Sequence, residues 1–72
     1  MSKQEEFGKK VRELRESKGW SQEDFADASN LHRTYISGIE RGVRNPTLTV
    51  VWQIAKALEV SPCKLFVEEK KG

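Results

Sequence analysis

The fold of this chain is decided by residues 21–41, SQEDFADASNLHRTYISGIER. Ser21 is followed three residues later by Asp24, a spacing like that of a capping box, which predicts the start of a short helix. Asn30 tolerates the left-handed backbone conformation better than most residues, so it predicts a tight turn. A second helix is then predicted over residues 33–41, which gives two short helices joined by a turn.

The second of these helices has an unusual composition. Ile36 and Ile39 lie three residues apart and can face a core, whereas its other residues are mostly small, polar or cationic. A helix–turn–helix arrangement places its second helix in the DNA major groove, which is about 12 Å wide. The small polar face therefore predicts a DNA-reading helix. Residues 31–45 also carry three arginines against Glu40 alone, whereas residues 23–27 are acidic.

Gly38 lies in the middle of the predicted DNA-reading helix, where glycine costs about 1 kcal/mol relative to alanine. Two explanations stay open. The glycine lets the helix approach the groove closely, or it lets the helix pack closely against the preceding one.

The remaining helices follow from spacing and end signals. Phe7, Val11 and Leu14 recur at helical spacing and predict a first helix over residues 4–17. Thr47 is the expected cap of a fourth helix over residues 48–58, although TLTVVW is rich in β-branched residues.

A fifth, short helix is expected to start with Ser61 as its cap and Pro62 as its first residue, and to end near Phe66. The prediction is an all-α, compact five-helix domain over residues 1–72. Its ordered core is expected over about 4–67, with a frayed tail over 68–72. The expected core side chains are Trp20, Phe25, Ile36, Ile39, Leu48 and Leu58, with Cys63 buried or half-buried.

Composition limits the classes of function. The 72 residues include 13 Lys and Arg, 11 Asp and Glu, one Cys and one His, with a net charge of +2. Neither an intrachain disulfide nor a four-ligand zinc site can form, and a core this small typically supplies only about 3–5 kcal/mol. These limits favour a homodimer, and a compact monomer stays the alternative. Nonspecific DNA packaging would favour a larger basic excess.

The sequence predicts neither an enzyme nor a membrane protein. His32 has no evident catalytic partner, so we expect no catalytic residues, no metal, no cofactor and no small-molecule ligand. The opening MSKQEEFGKK has no apolar run, and no later stretch approaches the length of a membrane span. A lone thiol fits the reducing cytoplasm, so we expect a cytoplasmic protein.

Four segments, taken in this order and spacing, resemble the Cro/C1-type (XRE) helix-turn-helix family typified by phage repressors. The segments are LRESKGWSQEDFA, NLHRTYISGIERG, NPTL and IAKALEVSPCKLF, and the resemblance covers roughly residues 7–66. It implies a lambda-repressor-like DNA-binding domain in a bacterial protein that associates with the nucleoid when bound to DNA. Within the family, RTYISGIERGVRN looks most like the controller proteins of restriction–modification systems, small dimeric regulators that time expression of the restriction enzyme.

The resemblance implies a set of contacts with double-stranded DNA. Arg33 would donate two hydrogen bonds to guanine O6 and N7, with a solvated arginine as the alternative. Thr34 and Ser37 would point toward base edges, although either could satisfy local backbone instead. Asn30 and His32 depart from the family's usual turn glycine and capping residue. The full implied set is Gln22, His32, Arg33, Thr34, Tyr35, Ser37, Arg41, Arg44 and Asn45.

The other implied contacts are mainly with the DNA backbone. Gln22, at the start of the second helix, would hydrogen-bond a phosphate. Tyr35 and Arg41 would contact the backbone, or a thymine methyl in the case of Tyr35. Arg44 and Asn45 would reach a phosphate or an adjacent groove edge.

The resemblance also implies one structural ion pair and one interface. Glu40 would pair with Arg15 of the first helix, with two independent surface charges as the alternative. The dimer contact would involve Trp52, Phe66 and Val67, although Trp52 could instead cover the core of its own monomer.

The sequence therefore predicts a sequence-specific, dimeric transcription regulator that binds a palindromic operator through helix 33–41. The controller protein is the leading interpretation, and a phage or prophage-type repressor is the alternative within the family. A different class stays open too: a protein-interaction module, antitoxin-like or adaptor, that keeps the fold without binding DNA.

Overall fold

The computed structural model describes residues 2–66, which form four α-helices and a closing 3₁₀ turn. The predicted bounds of the four α-helices agree with the structure to within one residue. The prediction of a fifth α-helix was wrong, because the segment that starts at Pro62 makes only a single 3₁₀ turn. The elements are α1 (Lys3–Ser17), α2 (Gln22–Ser29), α3 (Arg33–Glu40), α4 (Leu48–Leu58) and the 3₁₀ turn (Pro62–Leu65).

Side-chain caps from Ser2, Ser21 and Thr47 fix where α1, α2 and α4 begin. The Ser21 hydroxyl accepts from the Asp24 N–H at 3.0 Å, and the Asp24 carboxylate accepts from the Ser21 N–H at 3.0 Å. The Thr47 hydroxyl accepts from the Val50 N–H at 3.2 Å, so the β-branched run is helical as predicted. Ser61 occupies a cap position, but its side chain makes no cap hydrogen bond, which corrects the expected role.

Left-handed residues end several helices. Asn30 has φ 60° and ends α2, as predicted, and Gly42 has φ 77° just after α3. Glu59 also has φ 59° at the end of α4, a conformation that favours glycine or asparagine. Sequence reasoning did not find this strained glutamate.

The core is built from one side of every helix. Its largest fully buried side chains are Phe25, Ile36, Ile39, Ile54, Leu65 and Val11. Two core predictions were wrong. Leu48 is 75 % exposed, because it is the first residue of α4 and the buried stripe of that helix starts at Val51. Cys63 is exposed, because Leu65 supplies the buried side chain of the 3₁₀ turn.

The packing leaves one side of α3 uncovered. α3 packs against both α1 and α2, while α4 packs against α2. Gly8 allows the closest approach, since a Cβ there would collide with the backbone carbonyl oxygens of Ile39 and Glu40. Along residues 2–66, no helix combines the length and apolar character needed to cross a membrane.

Candidate nucleic-acid interface

The uncovered side of α3 carries the polar residues that the sequence singled out. Ile36 and Ile39 are fully buried, which directs the opposite side of the helix outward. Arg33 and Thr34 are exposed and Ser37 is half-buried on this outer side. The helix therefore presents a polar surface of low bulk above a buried apolar base.

The start of α3 has no side-chain cap. His32 is extended and exposed, and its side chain makes no cap hydrogen bond. Its carbonyl accepts from the N–H groups of Tyr35 and Ile36, both at 3.0 Å. The amides of Arg33 and Thr34 therefore lack a protein side chain as acceptor, and such helix-start amides favour an anion.

Arg44 folds back from the following loop onto α3. Its guanidinium carbon lies 5.1 Å from the centre of the Tyr35 ring, within the range of a cation–π contact. The loop is held there because the Gly38 carbonyl accepts from the N–H groups of Val43, at 3.0 Å, and Arg44, at 3.2 Å. The three atoms nearest to a Cβ built on Gly38 all belong to the Arg44 side chain, so the Arg44 stem covers this glycine.

Glu40, the acid within the basic segment, is turned away from this surface. Its carboxylate accepts from Arg15 Nε at 2.7 Å and from Arg15 Nη2 at 3.0 Å. Only 3 % of the Glu40 side chain is exposed. The pairing raises the pKa of Arg15, chiefly through its hydrogen bond with Glu40. The outer side of α3 therefore carries no exposed carboxylate.

Gln22 joins the same network. Its Nε2 donates to Glu40 Oε1 at 3.1 Å, so the side chain at the start of α2 is fixed relative to the end of α3. One amide hydrogen remains for another acceptor. Spacing alone could not find this bond, because the two residues are 18 positions apart.

The cationic groups expected at the interface are all at the surface. Arg33, Arg41 and Arg44 are exposed, as is Asn45 in the loop after α3. They lie on α3 or directly after it, whereas the acidic Glu23 and Asp24 are exposed in the first turn of α2. The exposed charged side chains of α3 and of the loop after it are therefore all basic.

A second exposed surface is apolar. Leu48 and Trp52 lie one turn apart on α4, and Trp52 is 58 % exposed. Phe66 is 53 % exposed, although its ring centre lies 5.3 Å from that of Phe7 in the core. Leu48 and Phe66 line one groove. We name Leu48, Trp52 and Phe66 the apolar face. Val67, also predicted for an interface, lies outside the described residues.

The described residues offer no metal centre. Between Ser2 and Phe66, no group of three or more His, Cys, Asp or Glu side chains is placed to hold a metal ion.

Comparison with known proteins assigns the class. The family model described as helix-turn-helix matches residues 11–65 of this chain. The chain belongs to the helix-turn-helix family. This finding confirms the resemblance drawn from the sequence.

Its relatives include control proteins of restriction–modification systems. The chain is 56 % identical to control protein C.BamHI of Bacillus amyloliquefaciens over 61 residues, covering 83 % of this chain and 75 % of the relative. The controller protein C.AhdI of Aeromonas hydrophila superposes with a TM-score of 0.84 at 47 % identity, covering 86 % of this chain and 94 % of that one.

A further solved structure includes DNA. It contains the controller protein C.Esp1396I as a tetramer in complex with its natural 35 base-pair operator. This chain matches it with a TM-score of 0.82 at 43 % identity, covering 90 % of this chain and 86 % of that one.

Proposed function

We propose that the protein is a restriction–modification controller: a transcription regulator that binds a palindromic operator as a homodimer and acts at the nucleoid in the cytoplasm. The observation that carries the proposal is the outer side of α3, where Arg33 and Thr34 are exposed and the carboxylate of Glu40 is withdrawn. The operator complex of the related C.Esp1396I supports the same function. The function requires no catalysis, cofactor or metal.

Base recognition is assigned to the exposed turn of α3. Arg33 at the start of the helix donates to guanine O6 and N7, the commonest specific contact in the major groove. Thr34 and Ser37 lie one turn apart and supply shorter hydrogen-bonding groups to base edges. Their small volume lets the helix axis approach the floor of the groove.

Phosphate contacts are assigned to residues that surround this turn. Gln22 has one amide hydrogen left after its bond to Glu40, and it donates this hydrogen to a phosphate oxygen. His32 stands beside the uncapped amides of α3 and lies at the same phosphate edge. Arg41 reaches the DNA backbone from the end of α3. These contacts fix register and orientation, while the base-edge contacts supply sequence preference.

The loop after α3 makes the third set of contacts. Arg44 lies over Tyr35, so the two side chains act as one unit beside the helix. This unit contacts the DNA backbone or a thymine methyl, and Asn45 extends the same edge.

Dimerisation is assigned to the apolar face. A domain with neither disulfide nor metal gains stability from association, and exposed apolar patches mark such interfaces. Trp52 and Phe66 are exposed there, and both residues follow α2 and α3 in the sequence. The sequence-based expectation adds Val67. This placement leaves both α3 helices free for two half-sites.

Selection of bound sites from random duplex DNA, followed by footprinting, tests the proposal. We expect enrichment of a pseudo-palindrome whose half-site centres lie about one helical turn, ~34 Å, apart. Equal retention of all sequences would contradict it and would favour nonspecific DNA binding, whereas retention of none would favour a protein-interaction module. Neighbouring genes for an endonuclease and a methyltransferase would separate a controller from a phage-type repressor.

A further inference from the structure

Gly38 is the buried glycine of α3, and its surroundings assign it a role that its sequence position does not reveal. A Cβ built on Gly38 would lie 2.9 Å from Arg44 Cγ, 3.0 Å from Cδ and 3.2 Å from Nε. Real Cβ atoms do not approach a neighbour this closely without displacing it. Because Gly38 has no side chain, α3 has a recess at this position, and the Cγ and Cδ atoms of Arg44 fill it.

The recess is one of three contacts that hold Arg44. The Gly38 carbonyl accepts from the Arg44 N–H at 3.2 Å, which fixes the backbone of the loop. The Tyr35 ring lies 5.1 Å from the guanidinium carbon, which fixes the far end of the side chain. Between these two points, the recess at Gly38 holds the aliphatic carbons of the Arg44 side chain. Thr34 lies one turn before Gly38, so the seated arginine runs beside the base-reading turn.

We propose that Gly38 is a positioning residue, which acts on DNA only by seating Arg44 over Tyr35 beside the base-reading turn of α3. This inference rests on the proposed DNA-binding function. Gly38 itself touches no base or phosphate. A methyl at this position pushes the arginine stem out of the recess and leaves the guanidinium free in solvent.

The structure separates this effect from damage to the fold. The atoms that a Gly38 methyl would meet belong to a flexible, exposed side chain and not to backbone. Alanine also has the higher helix propensity. Gly38→Ala is therefore expected to keep or raise the melting temperature while it weakens binding, two changes that a structural role alone would not combine.

A double-mutant cycle tests the proposal on the full chain. Operator affinity is measured for wild type, Gly38→Ala, Arg44→Ala and the double variant, with the operator found by site selection. We expect Gly38→Ala to weaken operator binding about as much as Arg44→Ala does, and to change affinity less than twofold when Arg44 is already alanine. An equal loss in both backgrounds would assign Gly38 to direct approach of the helix to the groove and would overturn the proposal. No loss in either background would overturn it as well.

A DNA-free measurement separates this proposal from the proposed function. Protons on Cγ and Cδ of Arg44 are expected to show upfield NMR shifts from the Tyr35 ring in wild type, and to lose them in Gly38→Ala. Tyr35→Leu is the matched control, because it removes the ring and leaves the recess. Unshifted wild-type protons would show that the seat does not exist and overturn the proposal. Shifted protons in a protein that binds no operator would refute the DNA-binding function, and the assigned role of Gly38 would fall with it.

Discussion

Arg15 on α1 holds Glu40, the last residue of α3, through two parallel hydrogen bonds of 2.7 and 3.0 Å. Arg15 also donates from Nη1 to the Trp20 carbonyl at 2.8 Å, which extends the contact to the turn before α2. With Gln22 bound to the same carboxylate, a single glutamate connects α1, α2 and α3. The buried carboxylate of Glu40 therefore helps to fix the orientation of α3 relative to α1 and α2.

We expect Glu40→Ala to lower the free energy of unfolding by about 3–5 kcal/mol, because it leaves the largely buried guanidinium of Arg15 without its partner. A loss of this size approaches the whole stability of a small domain. Urea denaturation followed by circular dichroism measures it. Because pairing raises the pKa of Arg15 in the folded state, the part of the stability that is linked to Arg15 protonation is present below the unfolded pKa of Arg15. It is lost as the pH rises through the folded pKa, at strongly alkaline pH.

The exposed pair Arg12–Glu16 is the matched control, since its atoms lie at 3.1 Å but both side chains are more than half exposed. Arg12→Ala is expected to cost only about 0.3–0.5 kcal/mol, as for other exposed helical pairs. Equal losses for Glu40→Ala and Arg12→Ala would refute the structural importance assigned to the buried pair.

Gly8→Ala is expected to destabilise the fold by about 1–3 kcal/mol, in the range of overpacked cores, despite the better helix propensity of alanine. The new methyl would collide with backbone carbonyls at the end of α3, which cannot move aside as a side chain can. Thermal unfolding measures the change. The contrast is with Gly38→Ala, where the obstacle is a flexible side chain. A rise in melting temperature for Gly8→Ala would disprove the close packing of α1 on α3.

Glu59→Gly is expected to raise the free energy of unfolding by about 1 kcal/mol, since a left-handed conformation costs an L-residue about 1–2 kcal/mol and the unfolded glycine chain regains part of it. The ion pair with Lys18 at 3.5 Å is lost, but Glu59 is 81 % exposed, so the pair contributes little. Glu59→Ala is the control, because it removes the same ion pair and keeps the strain. Equal stabilisation by alanine and glycine would contradict the strain explanation.

The sequence could predict the start and end of each α-helix because these signals are local. The capping residues and the left-handed Asn30 act within a few positions of the backbone they satisfy. Leu48 shows the limit of this reasoning. Periodicity places it on the apolar stripe of α4, yet it is the first residue of that helix, the buried stripe starts only at Val51, and the side chain is exposed. Residue spacing predicts which side of a helix a side chain lies on, but it does not predict whether another element packs against that side chain.

In the candidate interface, too, local features could be predicted from the sequence and tertiary contacts could not. The polar character of α3 is visible in its composition, whereas the seat of Arg44 depends on a chain reversal at Gly42. The bond from Gln22 to Glu40 depends on the crossing of α2 and α3. Both contacts form only when the tertiary structure exists. Residue types therefore indicated which polar groups are exposed on α3 and in the loop after it, but not how those groups hold one another.

Arg33→Ala is expected to abolish discrimination at one base position, at about 1–3 kcal/mol, because it removes a bidentate base contact. Competition binding against a panel of single-base operator variants measures this change. Arg41→Ala is the matched control, because Arg41 directly follows the last residue of the same helix. It is expected to weaken all sequences about equally and to lower the slope of log affinity against log salt by about 1, as the loss of a phosphate contact does. If Arg33→Ala keeps the wild-type ranking of operator variants, the assigned base contact is wrong.

Trp52→Ala is expected to weaken self-association by about 2 kcal/mol, roughly 30-fold in Kd, because exposed aromatic residues dominate the energy of such interfaces. Trp52 is a cleaner probe than Phe66, whose ring also packs beside Phe7. Sedimentation equilibrium measures the dimer, and circular dichroism at high protein concentration checks the helices. Val43→Ala is the control, since Val43 is 63 % exposed but lies outside the apolar face. A loss of helicity at every concentration would place the Trp52 ring in the monomer core, and unchanged dimerisation with intact helices would remove Trp52 from the interface.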